Sequence, residues 1–166
     1  MSGLRPLGWA APSAGLMAFL VSLGGCTNQN ATLGVSVVPP EQAEVKLSTD
    51  VMPIFGPLRG GCTGCHGDST SSANLNLVKI FDPSVGAVGV TSCEAPPLPR
   101  IARSNSDGSY LIKKLKDMQG SAVCVPCSGW TIGPTCGVRM PPGPGVLSPT
   151  DVQIIEDWIN QGAKDN

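Results

Sequence analysis

Between Leu47 and Asn166 the apolar residues fall into three stretches at helical spacing, separated by runs rich in glycine and proline. In "STDVMPIFGPL", Val51, Ile54 and Phe55 share a face. Thr49 reads as the cap, and Pro53 falls in the first turn, where its missing N–H is best tolerated. In "SNSDGSYLIKKLKDM", Ser106 reads as the N-cap, and Tyr110, Leu111, Leu115 and Met118 recur along one apolar stripe. The clearest stretch is "SPTDVQIIEDWINQGA", with Ser148 as N-cap, Pro149 at N1 and Asp151 in the positive first turn. There Val152, Ile155 and Ile159 face one way, Ile154 and Trp158 widen the stripe, and Gly162 closes it. No internal repeat and no convincing run of alternating strands is present. The pattern predicts an all-α domain with long Gly/Pro-rich loops.

Composition agrees with sparse regular structure: 166 residues include 21 Gly and 16 Pro. That length suits one domain plus a targeting segment. A formal charge of −1 gives no electrostatic reason to expect nucleic acid. At the N-terminus, Arg5 precedes an apolar run from Trp9 to Leu23, shorter than the roughly 20 residues of a membrane span, so the segment reads as a secretory signal. Leu23, Gly24 and Gly25 directly before Cys26 resemble the bacterial lipobox, in which the cysteine becomes the lipidated first residue. The alternative is an ordinary signal peptide ending near a cysteine. Thr27, where an Asp would argue for inner-membrane retention, leans toward the outer membrane. The expected organisation is therefore a signal at 1–25, a polar, Pro-containing tether at 26–46 and a folded domain at 47–166.

Within that domain stands "GGCTGCHGD", in which Cys62, Cys65 and His66 form C-x-x-C-H. Two thiols at this spacing can add to the vinyl groups of a haem while the adjacent imidazole becomes the proximal ligand. With 7 Cys and 1 His in the chain, chance alone produces the motif roughly once in 600 such sequences. A thioredoxin-like pair is expected near a βαβ pattern, and zinc would leave the histidine directly after the second cysteine unexplained. Export fits too, because c-type haem is attached outside the cytoplasm. His66 is the only histidine, so a sixth protein ligand must be a methionine, or a lysine, or nothing. Met1 and Met17 leave with the signal, Met52 sits on the first helix, and Met118 fits the apolar stripe. That leaves Met140, in the proline-stiffened "GVRMPPGPG", as the candidate distal ligand, against the alternative of an exposed loop methionine.

The order "DVMPIF…CTGCH…NLNL…SYLIKKL…RMPPGPGVLSPTDVQIIEDWINQGA" resembles bacterial class I c-type cytochromes, especially lipoprotein-anchored single-haem domains. The resemblance covers most of 47–166. It implies a haem-wrapping helical fold whose first and last helices cross, with Phe55 and Trp158 as their aromatic contact. It further implies one covalent haem c on Cys62 and Cys65, with His66 and Met140 as axial iron ligands. Leu75, Leu77, Tyr110 and Leu111 would line the haem pocket, or serve as plain core. Two departures stand out: extra residues in "GPLRGG" before Cys62, whose glycines would allow an irregular turn, and an insertion at 121–137.

Setting aside Cys26, Cys62 and Cys65 leaves Cys93, Cys124, Cys127 and Cys136, an even number in an exported chain. They read as two disulfides, with three possible connectivities; the alternative is a four-cysteine zinc site. Arg100, Arg103, Lys113, Lys114 and Lys116 crowd one stretch and could meet haem propionates, dock an acidic partner or simply be solvated. The implied function is a single-electron carrier, not an enzyme, lipid-anchored in the bacterial envelope and facing the periplasm. Its partners would be a redox donor and acceptor. The rival readings are an open-coordination haem enzyme or gas sensor, and a haem subunit of a larger oxidoreductase.

Overall fold

Among the described residues, α-helix forms where a short apolar face meets the shared core. The computed structural model describes residues 42–127 and 136–166, within a unit that spans Glu41–Asn166. The expected signal, Cys26 and most of the tether lie outside the described residues. Hydrogen bonding to the domain already begins at Ala43, whose carbonyl accepts from Gln161 Nε2, and Val45 N donates to Gln161 Oε1 at 2.7 Å.

A π-helical turn, Leu47–Val51, runs directly into helix α1, Met52–Phe55. Thr49 is not its cap: Lys46 occupies that position, and the Asp50 carboxylate, one turn on, accepts from Lys46 N at 2.7 Å. Helix α1 stops at Gly56, ahead of Pro57, which disfavours helical backbone in the residue before it. Helix α2, Tyr110–Leu115, is shorter than its pattern predicts. The Asn105 side chain accepts from Gly108 N at 2.8 Å, so residues 105–108 form a turn and the cap shifts from Ser106 to Ser109. Met118 falls beyond the helix and is 52% exposed, so it is not a core residue. Helix α3, Pro149–Asn160, follows its sequence signals closely. Ser148 Oγ accepts from Asp151 N at 3.1 Å, and Gly162 turns the chain with φ +107°.

The expectation of an all-α, haem-wrapping helical domain is overturned. Among the described residues the α-helices are three, of four, six and twelve residues. The rest is made of turns, single 3-10 turns and isolated β-bridges, including Val88 with Ile101 and Thr91 with Pro99. Glycine and proline punctuate the chain too often for longer helices, so backbone groups pair across turns instead: Gly89 N to Ile101 O, Arg100 N to Val90 O and Ser92 N to Leu98 O, at 2.7–2.9 Å.

The core joins these pieces. Val51, Ile54 and Phe55 from the first segment, Ile112 and Leu115 from α2, and Ile155, Trp158 and Ile159 from α3 pack with Leu77, Ile80 and Ile101 from the loops. Each such side chain contributes about 1.5–3 kcal/mol on burial. Phe55 and Trp158 are both fully buried in this cluster, and Trp158 Nε1 donates to Lys164 O at 2.9 Å. An Arg59–Asp151 ion pair ties the loop after α1 to the start of α3, and Lys116 Nζ reaches Glu156 Oε1 at 2.5 Å between α2 and α3. No helix of the described residues is long and apolar enough to cross a membrane.

Candidate functional site

The turn after α1 and the loop before α3 face each other across an apolar cavity of about 320 Å³, within the range of small-molecule and cofactor sites. Two glycines shape the first wall. A Cβ at Gly60 would lie 2.6 Å from Ile54 O and 2.9 Å from Leu147 Cδ2, and Gly61 takes φ +63°. Both donate back to the helix, Gly60 N to Ile54 O and Gly61 N to Gly56 O, each at 2.8 Å. The irregular turn expected at "GG" is therefore present, and it delivers Cys62 to the cavity rim.

Cys62–Gly64 form a 3-10 turn closed by Cys65 N donating to Cys62 O at 3.2 Å, and His66 N donates to the same carbonyl at 2.8 Å, so the motif forms a single compact corner. Both thiols are free: Cys62 is half-buried and Cys65 exposed. Burial pushes the Cys62 thiol up to about 11, because the thiolate is poorly solvated there. His66 Nδ1 lies 3.0 Å from Ser72 O. A carbonyl only accepts, so Nδ1 carries the proton and Nε2 keeps its lone pair. Burial also holds the imidazole below its ordinary pKa, which favours the neutral, ligating form.

The opposite wall carries Met140. Its backbone N donates to Lys114 O on α2 at 3.0 Å, and Val138, Pro141 and Pro142 line the cavity beside it. Two cysteine pairs at disulfide distance brace the chain ahead of this loop, Cys93 with Cys127 and Cys124 with Cys136, whose Cα atoms are 5.4 and 5.3 Å apart, and Cys93 also lines the cavity. Of the three possible connectivities, this one closes a long and a short loop. The pairing also replaces the four-cysteine zinc alternative, and no group of three or more His, Cys, Asp or Glu side chains converges among the described residues. Residues 128–135 of the insertion lie outside the described residues.

All eight residues expected at a haem site line this one cavity: Cys62, Cys65, His66, Leu75, Leu77, Tyr110, Leu111 and Met140. Leu77 and Tyr110 are also buried, so the lining and core readings coincide for them. The basic residues that crowd one stretch of sequence divide in the structure. Arg100 and Lys114 are buried and line the cavity, whereas Lys116 pairs with Glu156, and Arg103 donates to Gly162 O and Ala163 O. The five therefore do not form one exposed docking patch.

Two charged features were not legible in the sequence. Arg100, 7% exposed, donates to the carbonyls of Val85, Gly86 and Ala73, and no carboxylate of the described residues forms an ion pair with it. Burial lowers its pKa, although a guanidinium stays charged at any physiological pH. A buried cation at the edge of an apolar cavity suits an anionic group on whatever the cavity holds. Glu94, never singled out from the sequence, accepts from Tyr110 OH at 2.9 Å and from Lys114 Nζ at 3.0 Å. Burial and the Glu94 charge together raise the Tyr110 phenol well above its ordinary pKa, leaving it a hydrogen-bond donor. The only local signal was the Tyr110–Lys114 spacing of one helical turn, and nothing nearby announced their partner.

The chain matches no family model, no curated protein and no solved structure. Its chemistry rests on the cavity itself. Two free thiols, an imidazole with an available Nε2, a thioether and a buried guanidinium surround apolar walls, a donor set that fits a covalently held haem with carboxylate substituents.

Proposed function

We propose that this chain is a single-electron carrier that holds one c-type haem, exported and lipid-anchored through Cys26 at a bacterial membrane surface facing the periplasm. The observation that carries the reading is the convergence of Cys62, Cys65, His66 and Met140 on one apolar cavity. Cys62 and Cys65 would hold the group through their sulfurs, His66 Nε2 and Met140 Sδ would be the protein's ligands to its iron, and Arg100 would meet its carboxylates. When bound, the haem supplies the ferric/ferrous couple.

The chain's own residues set the conditions for that couple. Ser72 O fixes the His66 tautomer, and a hydrogen-bonded imidazole is a firmer donor. Leu75, Leu77 and Leu111 exclude water, which disfavours the more highly charged oxidised state. Thioether ligation pulls in the same direction and fills the position where small molecules would otherwise react. The proposed role is therefore outer-sphere transfer between a protein donor and a protein acceptor.

The test is production of the exported chain with haem-attachment machinery, followed by absorption spectroscopy. Haem should resist acid extraction in the wild type and be lost from the Cys62→Ala/Cys65→Ala protein. The long-wavelength ferric band of a methionine-ligated haem should be present and vanish in Met140→Ala. A wild type without that band that binds carbon monoxide readily would instead be an open-coordination haem protein.

A further inference from the structure

Lys114 holds the methionine loop at two points, at Met140 and four residues before it. Its carbonyl accepts from Met140 N at 3.0 Å, while its ammonium, on the same residue, donates to Cys136 O at 2.9 Å. We infer that Lys114 is the positioning residue for Met140, gripping residues 136 and 140 from α2 so that the thioether is presented to the cavity. The inference rests on the Met140 ligation proposed above and deepens it: the sixth ligand is set by a buried ion pair on another element.

The grip is strong because its parts are buried and mutually satisfied. The Lys114 side chain is 8% exposed and that of Glu94 14%, with their charged atoms 3.0 Å apart. A charged donor to a carbonyl is shorter and stronger than a neutral one. Tyr110 OH bonds the same Glu94 oxygen and approaches the same Cys136 carbonyl at 3.4 Å. Cys136 is in turn paired with Cys124, and Val125 N donates to Glu94 O at 2.9 Å, so the network closes on itself. Removing the ammonium leaves the largely buried Glu94 without its cation and takes the closest donor from Cys136 O, so that the start of the loop is held by the Cys124 pair and the longer Tyr110 contact, and Met140 by its backbone bond alone. The loop then keeps its fold but loses its fixed distance from the cavity.

The experiment compares haem-loaded wild type, Lys114→Ala, Lys114→Arg and Met140→Ala. The first readout is the long-wavelength ferric band. The second is oxidation of Met140 by dilute hydrogen peroxide, mapped by mass spectrometry, with exposed Met118 as internal reference. In Lys114→Ala the band should weaken, carbon monoxide binding should appear, and Met140 oxidation should rise about tenfold relative to Met118, the scale of one charged hydrogen bond lost. Lys114→Arg, which restores a cation and its donors, should recover most of the band, a rescue that a purely space-filling role would not give. Should Lys114→Ala misfold, Glu94→Gln, which keeps the shape but removes the anion, should show the same changes in milder form. A wild-type band with Lys114→Ala indistinguishable from it overturns the positioning role and leaves Met140 ligation standing. A wild type without the band overturns the ligation and this inference together.

Discussion

The two walls of the cavity are built by opposite means. The Cys62–His66 wall is largely local: its shape comes from glycines at 60 and 61 and from main-chain bonds spanning no more than eleven residues, Leu77 N to His66 O being the longest. The Met140 wall is assembled from afar. Lys114, Glu94, Tyr110 and the Cys124–Cys136 pair hold the start of the loop through side chains, and the Lys114 carbonyl holds Met140 N. A wall made of backbone turns stands or falls with sterics, whereas one made of cross-links and ion pairs can be loosened by degrees. A firm corner on one side and an adjustable loop on the other suit the proposed haem site, which would have to retain its group on one wall and tune it from the other.

The largest expected effect strikes the assembled wall. Cys93–Cys127 closes a separation of 34 residues and Cys124–Cys136 one of 12. By loop-closure entropy, replacing the first pair with alanines should cost about 4 kcal/mol and the second about 3 kcal/mol. Chemical denaturation of the two double variants measures the difference. Equal losses would mean that denatured-state entropy does not govern this loop. The shorter pair should have the greater effect on Met140 despite its smaller cost, since Cys136 O is the atom that Lys114 and Tyr110 hold.

Next comes the local wall. A methyl group at Gly60 would meet Ile54 O at 2.6 Å and Leu147 Cδ2 at 2.9 Å. The carbonyl can retreat only by moving α1, so Gly60→Ala should destabilise by about 2–3 kcal/mol, in the range of overpacked cores. Gly64→Ala is the control on the same wall, because nothing lies within 4 Å of its Cβ position. Denaturation midpoints that fall equally in both variants would show that backbone entropy, not crowding, is what glycine contributes here.

The same contrast explains what could be read from the chain in advance. Helix α3 was legible because Ser148, Pro149, Asp151 and Gly162 act within one turn of themselves. The C-x-x-C-H corner was legible for the same reason. The all-α reading failed because hydrophobic periodicity detects helices and is blind to loops whose backbone pairs across turns, as Ile101 does with Ala87 and Gly89. Arg100 and Lys114 looked like solvated charge, since nothing local reveals that Gly86 O and Glu94, 14 and 20 residues away, complete them. Ser109 shows the limit on a small scale. It takes the cap position of α2, yet its Oγ bonds Ala102 N and Asn105 O instead of the helix.

The smallest effect probes the thiols before any group is attached. In the haem-free chain, burial pushes Cys62 up to about 11, which leaves at neutral pH about a hundredth of the thiolate of an ordinary cysteine. Iodoacetamide at pH 7.5, roughly physiological in ionisation, should therefore modify exposed Cys65 well before half-buried Cys62. A raised folded-state pKa means that the folded chain binds more protons than the unfolded one above the ordinary thiol range. Stability contributed by Cys62 is then fully present below that range and is lost as pH rises through about 11. Cys62→Ala should abolish that alkaline loss and leave the rest of the pH profile in place. Equal alkylation of both cysteines would mean that the local wall opens freely in the protein as folded here, and the contrast between a firm corner and an adjustable loop would then hold only once the proposed haem is attached.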